Sequence, residues 1–97
     1  VELREARDAF GPHPDVLTYL GFANRKQGNH DVALAYYSAA LDVAPGHLGA
    51  HEYLGEYFVE IGDMTAARSQ LDTLNVLCPF GCAEHTELEQ WIERDAS

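Results

Sequence analysis

Apolar residues recur along this chain at helical rather than strand spacing, in blocks closed by glycine or proline. Residues 15–27 set Val16, Leu17, Leu20 and Ala23 three or four apart, which predicts an amphipathic helix. Gly28-Asn29 stops it, glycine supplying the left-handed residue past a helix end. A second helix is expected from Asp31 to Ala44, with Ala33, Tyr37, Ala40 and Leu41 on one stripe, and Pro45-Gly46 closes it. The same succession follows once more: helices near 48–61 and 65–77, broken at Gly62-Asp63 and at Pro79. Val1 to Phe10 reads as one more helix, with Leu3 and Ala6 in the places of Tyr37 and Ala40. Cys82 to Glu93 reads as a last one, with Leu88, Trp91 and Ile92 turned inward and four glutamates left for its outer face.

The recurrence has a fixed period. Shifted by 34 residues, Leu20 falls on Leu54, Gly21 on Gly55, Gly28 on Gly62, Ala33 on Ala67 and Pro45 on Pro79. Tyr19 meets Tyr53, and Asn29 meets Asp63. The small residues Gly21 and Ala33, and Gly55 and Ala67, are expected to let paired helices approach closely. Unit one reads Leu17-x2-Leu20-Gly21-x2-Asn24, then Ala33-x3-Tyr37, then Pro45. Unit two reads His51-x2-Leu54-Gly55-x2-Phe58, then Ala67-x3-Leu71, then Pro79. A 34-residue helix-turn-helix unit with this pattern resembles the tetratricopeptide repeat. Leu17 and His51 depart from that family at its tryptophan position, and Asn24 at its tyrosine position. The resemblance implies an all-α solenoid in one domain over residues 1–97. Residues 1–10 are the helix of a preceding repeat, 14–47 and 48–81 are full repeats, and 82–95 is a capping helix with the polar outer face that stacked repeats need.

Charge narrows the partner. The chain has a formal net charge of −10. Residues 1–48 carry six acids and four bases, residues 49–97 ten acids and two bases, so the second half is the acidic one. Phosphate backbones are repelled by such a surface, which argues against nucleic acid, and a basic protein segment suits it better. No apolar run approaches the roughly 20 residues that span a bilayer. The chain opens on Val1 with no signal-peptide pattern, and a start without Met suggests a processed or excised product whose targeting segment is missing.

Catalytic chemistry has little to stand on. The chain shows no phosphate-binding glycine loop, no nucleophile motif and no zinc-protease signature, so no enzyme and no cofactor is expected. Glu52, Glu56 and Glu60 fall four apart on one helix and form a carboxylate stripe. In the family it resembles, that face lines a concave ligand groove. The resemblance nominates Asp15, Thr18, Tyr19, Phe22, Arg25 and Lys26 in unit one for this groove, with Gly49, Glu52, Tyr53, Glu56 and Glu60 in unit two. Aromatics beside charges are what binding hot spots use. The lysine-asparagine clamp of the chaperone-tail binders is missing, since Thr18, Phe22, Gly49 and Tyr53 stand in its places. His13 and His47 read as surface or loop-packing residues and His51 as a packed one.

The only two cysteines lie in Leu77-Cys-Pro-Phe-Gly-Cys82. Three readings stay open: a disulfide, free thiols, or a copper or zinc site in which His85 completes Cys78-x3-Cys82-x2-His85. The proline and glycine between the cysteines permit a reversal that brings two Cα atoms into disulfide range, so the staple is the leading reading. This tail also resembles that of small exported tetratricopeptide repeat proteins of Gram-negative bacteria, which implies an oxidising periplasm and favours the same reading; a cytoplasmic location is the alternative. The function expected is a non-catalytic scaffold holding a peptide or partner helix, basic in character. A metal- or thiol-handling protein and a self-assembling module are the alternatives.

Overall fold

The computed structural model describes residues 13–96; the expected helix at 1–10 lies outside them. Five helices follow in order: α1 Pro14–Lys26, α2 His30–Val43, α3 Leu48–Glu60, α4 Met64–Leu77 and α5 Ala83–Ala96. Each bound lies within one residue of its expectation, except that α5 continues to Ala96.

Two kinds of stop signal end the helices, and both repeat. After α1, Gly28 takes φ 83°, its N–H bonds back to Arg25 O at 3.0 Å, and Asn29 N–H reaches Asn24 O at 2.9 Å. After α3, Gly62 takes the same φ, with Gly62 N–H on Val59 O at 3.1 Å and Asp63 N–H on Phe58 O at 2.9 Å. These paired bonds satisfy carbonyls that a bare helix end leaves open, and only glycine enters that conformation without steric cost. The helices α2 and α4 end on a residue before proline instead. Ala44 (φ −135°, ψ 84°) and Cys78 (φ −132°, ψ 76°) have left the helical region, because the ring of Pro45 or Pro79 disfavours it for the preceding residue.

The helices form hairpins, α1 with α2 and α3 with α4. Helix α3 also lies across both α1 and α2, and α5 lies in the same way on α3 and α4. The cap therefore takes the place that the first helix of a third unit would hold. Buried positions follow the repeat: Ala33 with Ala67, Ala40 with Leu74, and Leu54 with Leu88 are all core. The inward residues of α5 divide, Leu88 and Ile92 being buried and Trp91 half-buried.

One expectation changes. A Cβ on Gly21 would lie 2.6 Å from the Tyr37 ring of its own hairpin, whereas one on Gly55 would lie 2.5 Å from Leu88 Cδ2 of the cap. The second glycine thus serves the contact with α5 rather than the pairing of α3 with α4. The cause is one of reach: the residue equivalent to Tyr37 is Leu71, a shorter side chain that packs in the cluster around Leu74 and Leu88.

Candidate functional site

Helix α1 turns Asp15, Thr18, Tyr19 and Phe22 to one side, the spacing that stacks side chains on one helix face. They meet Gly49 and Tyr53 of α3, and His47 just before it, around a pocket of about 420 Å³. The Phe22 and Tyr53 rings lie 5.1 Å apart, tilted by 40°, and join the two helices. Tyr19 stands at the mouth, 66% exposed, an aromatic surface that none of the described helices covers. The Thr18 hydroxyl donates to Pro14 O at 2.7 Å and is occupied within its own helix. Lys26 is exposed, its Nζ 5.4 Å from the Phe22 centroid.

His47 sets the register of this pocket. Its Nδ1 accepts the Ala50 N–H at 3.0 Å and so caps α3. In the neutral ring the proton must then sit on Nε2, which donates to Asp15 Oδ1 at 2.6 Å. One imidazole ties the N-terminal end of α1 to that of α3. His51 is buried, as a packed residue should be, with ring nitrogens 2.7 Å from Gln70 Oε1 and 2.7 Å from Pro45 O.

Deeper in the same face, Arg25 organises a polar core. It is 3% exposed. Its Nη2 donates to Glu56 Oε1 at 3.0 Å, its Nη1 to Tyr53 O at 3.0 Å, and its Nε lies 3.3 Å from Glu60 Oε1. Phe22, Tyr53 and Trp91 surround the guanidinium, their centroids 5.3, 5.8 and 5.4 Å from it. Glu56 is buried with its partner. Glu52 is buried too, and its pKa is pushed up to about 9 by loss of water first, then by its hydrogen bond to Glu56 and the charges of Glu56, Glu87 and Glu84. It holds a proton at neutral pH. The Tyr37 hydroxyl is buried with no hydrogen-bond partner among the described residues, and desolvation keeps it neutral beside this cluster.

The expected carboxylate stripe is thus three different things. Glu52 is a neutral acid, Glu56 is half of a buried ion pair, and only Glu60 reaches solvent, with a side chain 33% exposed. Glu60 lines a second opening, of about 480 Å³, with Val59 of α3 and Trp91, Arg94 and Asp95 of α5.

A family model for the tetratricopeptide repeat matches residues 2–47 and again residues 20–80. The chain belongs to the tetratricopeptide repeat family. No curated protein and no solved structure gives a match. Members of this family generally mediate protein–protein interaction. Of the nominated groove residues, its fold brings Asp15, Thr18, Tyr19, Phe22, Gly49 and Tyr53 into one pocket and leaves Lys26 at the edge. It places Arg25, Glu52 and Glu56 inside, as part of what holds α1, α3 and α5 together. His47 was not nominated; its place directly before a helix start, where a side-chain acceptor is wanted, is the signal that could have found it.

In this tetratricopeptide repeat domain the cysteines are joined as a disulfide, Cys78 to Cys82, their Cα atoms 6.0 Å apart. It ties the end of α4 to the start of α5, across a reversal in which Gly81 takes φ 93°. The two sulfurs bond each other and so leave no thiolates for the copper or zinc site; among the described residues no group of three or more histidine, cysteine or acidic side chains is placed to hold a metal ion. No described helix is long and apolar enough to cross a membrane.

Proposed function

We propose that this tetratricopeptide repeat domain is a non-catalytic interaction module that captures a segment of a partner protein in the groove between α1 and α3. The observation that carries the reading is the aromatic pocket itself, with Tyr19 held out at its mouth and Phe22 and Tyr53 as its wall. Burial of an apolar side chain there gains hydrophobic contact at a site the fold already holds open. Preference for a basic partner rests on the net charge of −10 and on exposed acids such as Asp15 and those of α5, not on Glu52 and Glu56. A displayed library of short random peptides, selected on the full chain, tests this. Enriched peptides should share an apolar anchor and lose binding to Tyr19→Ala; selected peptides that bind Tyr19→Ala unchanged would remove the groove from the argument.

Export to an oxidising compartment, the periplasm by the tail's resemblance, belongs to the same reading, with the disulfide as its support. Alkylation of the protein in its own cells before lysis, followed by intact mass, decides it: unlabelled cysteines support export, and two labelled ones sink it. Self-assembly has one observation of its own. Phe80 and Val76 are fully or largely exposed beside the disulfide, and an apolar surface of this kind favours association. A Phe80→Ser change that leaves sedimentation unaltered from low to high concentration would exclude that surface as a contact.

A further inference from the structure

The two pockets open along one helix. Gly49 and Tyr53 of α3 line the first, and Val59 and Glu60 of α3 line the second. At 1.5 Å of rise per residue, the second lies about 10–16 Å further along the axis. An extended chain advances about 3.3 Å per residue, so roughly three to five residues bridge that gap. A segment seated in both would cross α3 obliquely, from α1 at one end to α5 at the other.

The chemistry of the second pocket differs from that of the first. Val59 and Trp91 supply an apolar and aromatic wall, while Glu60 and Asp95 present carboxylates. The Arg94 guanidinium lies 5.7 Å from the Trp91 centroid. Arg25 stands 5.4 Å from the same ring, and its single positive charge serves Glu56 and Glu60 together. The site therefore already receives a guanidinium against an aromatic face with acids beside it, the arrangement that favours a cation. An anion could pair with Arg94 here but would also meet the carboxylates of Glu60 and Asp95 and the field of a chain at −10.

We infer that this second pocket receives a lysine or arginine side chain of the partner, taking the place Arg94 holds in the free protein, so that the domain reads an apolar residue and a basic residue three to five apart in an extended segment. The inference rests on the groove reading, and deepens it by naming what the partner carries. Asp95 and Glu60 would pair the incoming charge, and Val59 and Trp91 would cover its aliphatic stem.

The test uses the full chain and synthetic peptides of serine and glycine carrying one leucine and one arginine, with the spacing between them varied from one to nine residues. Fluorescence anisotropy of a labelled peptide reads affinity. Trp91 is the only tryptophan and lines the second pocket but not the first, so its emission with unlabelled peptide reports on the second. Affinity should peak when leucine and arginine lie three to five apart. Exchanging that arginine for glutamine should cost about five- to tenfold and abolish the Trp91 response. Asp95→Asn should weaken the arginine peptide and spare the glutamine one, whereas Arg94→Ala should tighten the arginine peptide. Equal binding of arginine and glutamine peptides, or a peak at seven or more, would overturn the inference. If leucine-anchored binding survives and is lost in Tyr19→Ala, the groove reading outlives it; if no peptide binds at any spacing, both fall.

Discussion

The two repeats share a backbone and differ in what their first helices show. Tyr19 and Tyr53 are equivalent, but Phe22, Arg25 and Lys26 of α1 fall on Glu56, Val59 and Glu60 of α3. One face is aromatic and basic, the other acidic, and stacking the two sets Arg25 against Glu56 and Glu60. The glycines repeat the lesson. Gly21 admits Tyr37 from within its hairpin, and Gly55 admits Leu88 from the next unit. A strict repeat would place like charges beside each other. Divergence at a few positions turns a periodic stack into one with a defined neighbour for each helix.

The sharpest way to break this comparison is to remove its central cation. Arg25→Met should destabilise by about 3–5 kcal/mol, because it leaves the Glu56 carboxylate buried and unpaired. Adding Glu56→Gln should recover a large part of that loss, and chemical denaturation of the single and double variants checks it. Strictly additive effects would show that the pair does not couple the repeats.

Gly21→Ala and Gly55→Ala should each cost about 1–3 kcal/mol, through overpacking against Tyr37 and Leu88. Their rescues should differ. Tyr37→Leu, which copies the second repeat, relieves Gly21→Ala, while Gly55→Ala is relieved by Leu88→Val and not by a change at Leu71. Thermal melts of the two single and three double variants decide it.

Glu52 offers a pH test. Its folded pKa, about 9, lies above its ordinary value of 4.5, so the folded state binds the extra proton. Stability should fall as pH rises from about 4.5 to about 9, then level off. Glu52→Gln keeps the hydrogen-bonding shape and cannot ionise. Its Tm should exceed that of the parent at pH 8, by a margin that grows with pH up to about 9, and match it near pH 4. Melts over that range that run parallel for the two proteins would contradict the buried proton. The smallest effect is expected at Tyr19, where alanine should change stability by less than about 0.5 kcal/mol, since the side chain lies mostly in solvent.

Much of the fold was legible because its signals are local. Gly28, Gly62, Pro45 and Pro79 end helices through the φ of one or two residues, and the 34-residue period reports the hairpins directly. Most of the pocket lining was legible as well: Asp15, Thr18, Tyr19, Phe22, Gly49 and Tyr53 were nominated by their position within the repeat, and they line one cavity. The acidic stripe was not. Spacing puts Glu52, Glu56 and Glu60 on one face of α3, but whether that face meets water or Arg25 depends on how α1 and α5 lie across it. His47 was missed although the expected start at 48 puts it in the capping position, and nothing local could say that its other ring nitrogen meets Asp15 of α1.

By itself, then, the amino-acid order determined that this chain folds as stacked helical hairpins and where each helix ends, since backbone torsions and apolar period act within a few residues. Tertiary structure alone decided which charges survive at the surface. Arg25 finds Glu56 across a separation of 31 residues, and Glu52 takes up its proton only where packing removes water and brings Glu56, Glu84 and Glu87 near. Desolvation and the pairing of charges depend on distances in space, and those exist only once the repeats have stacked.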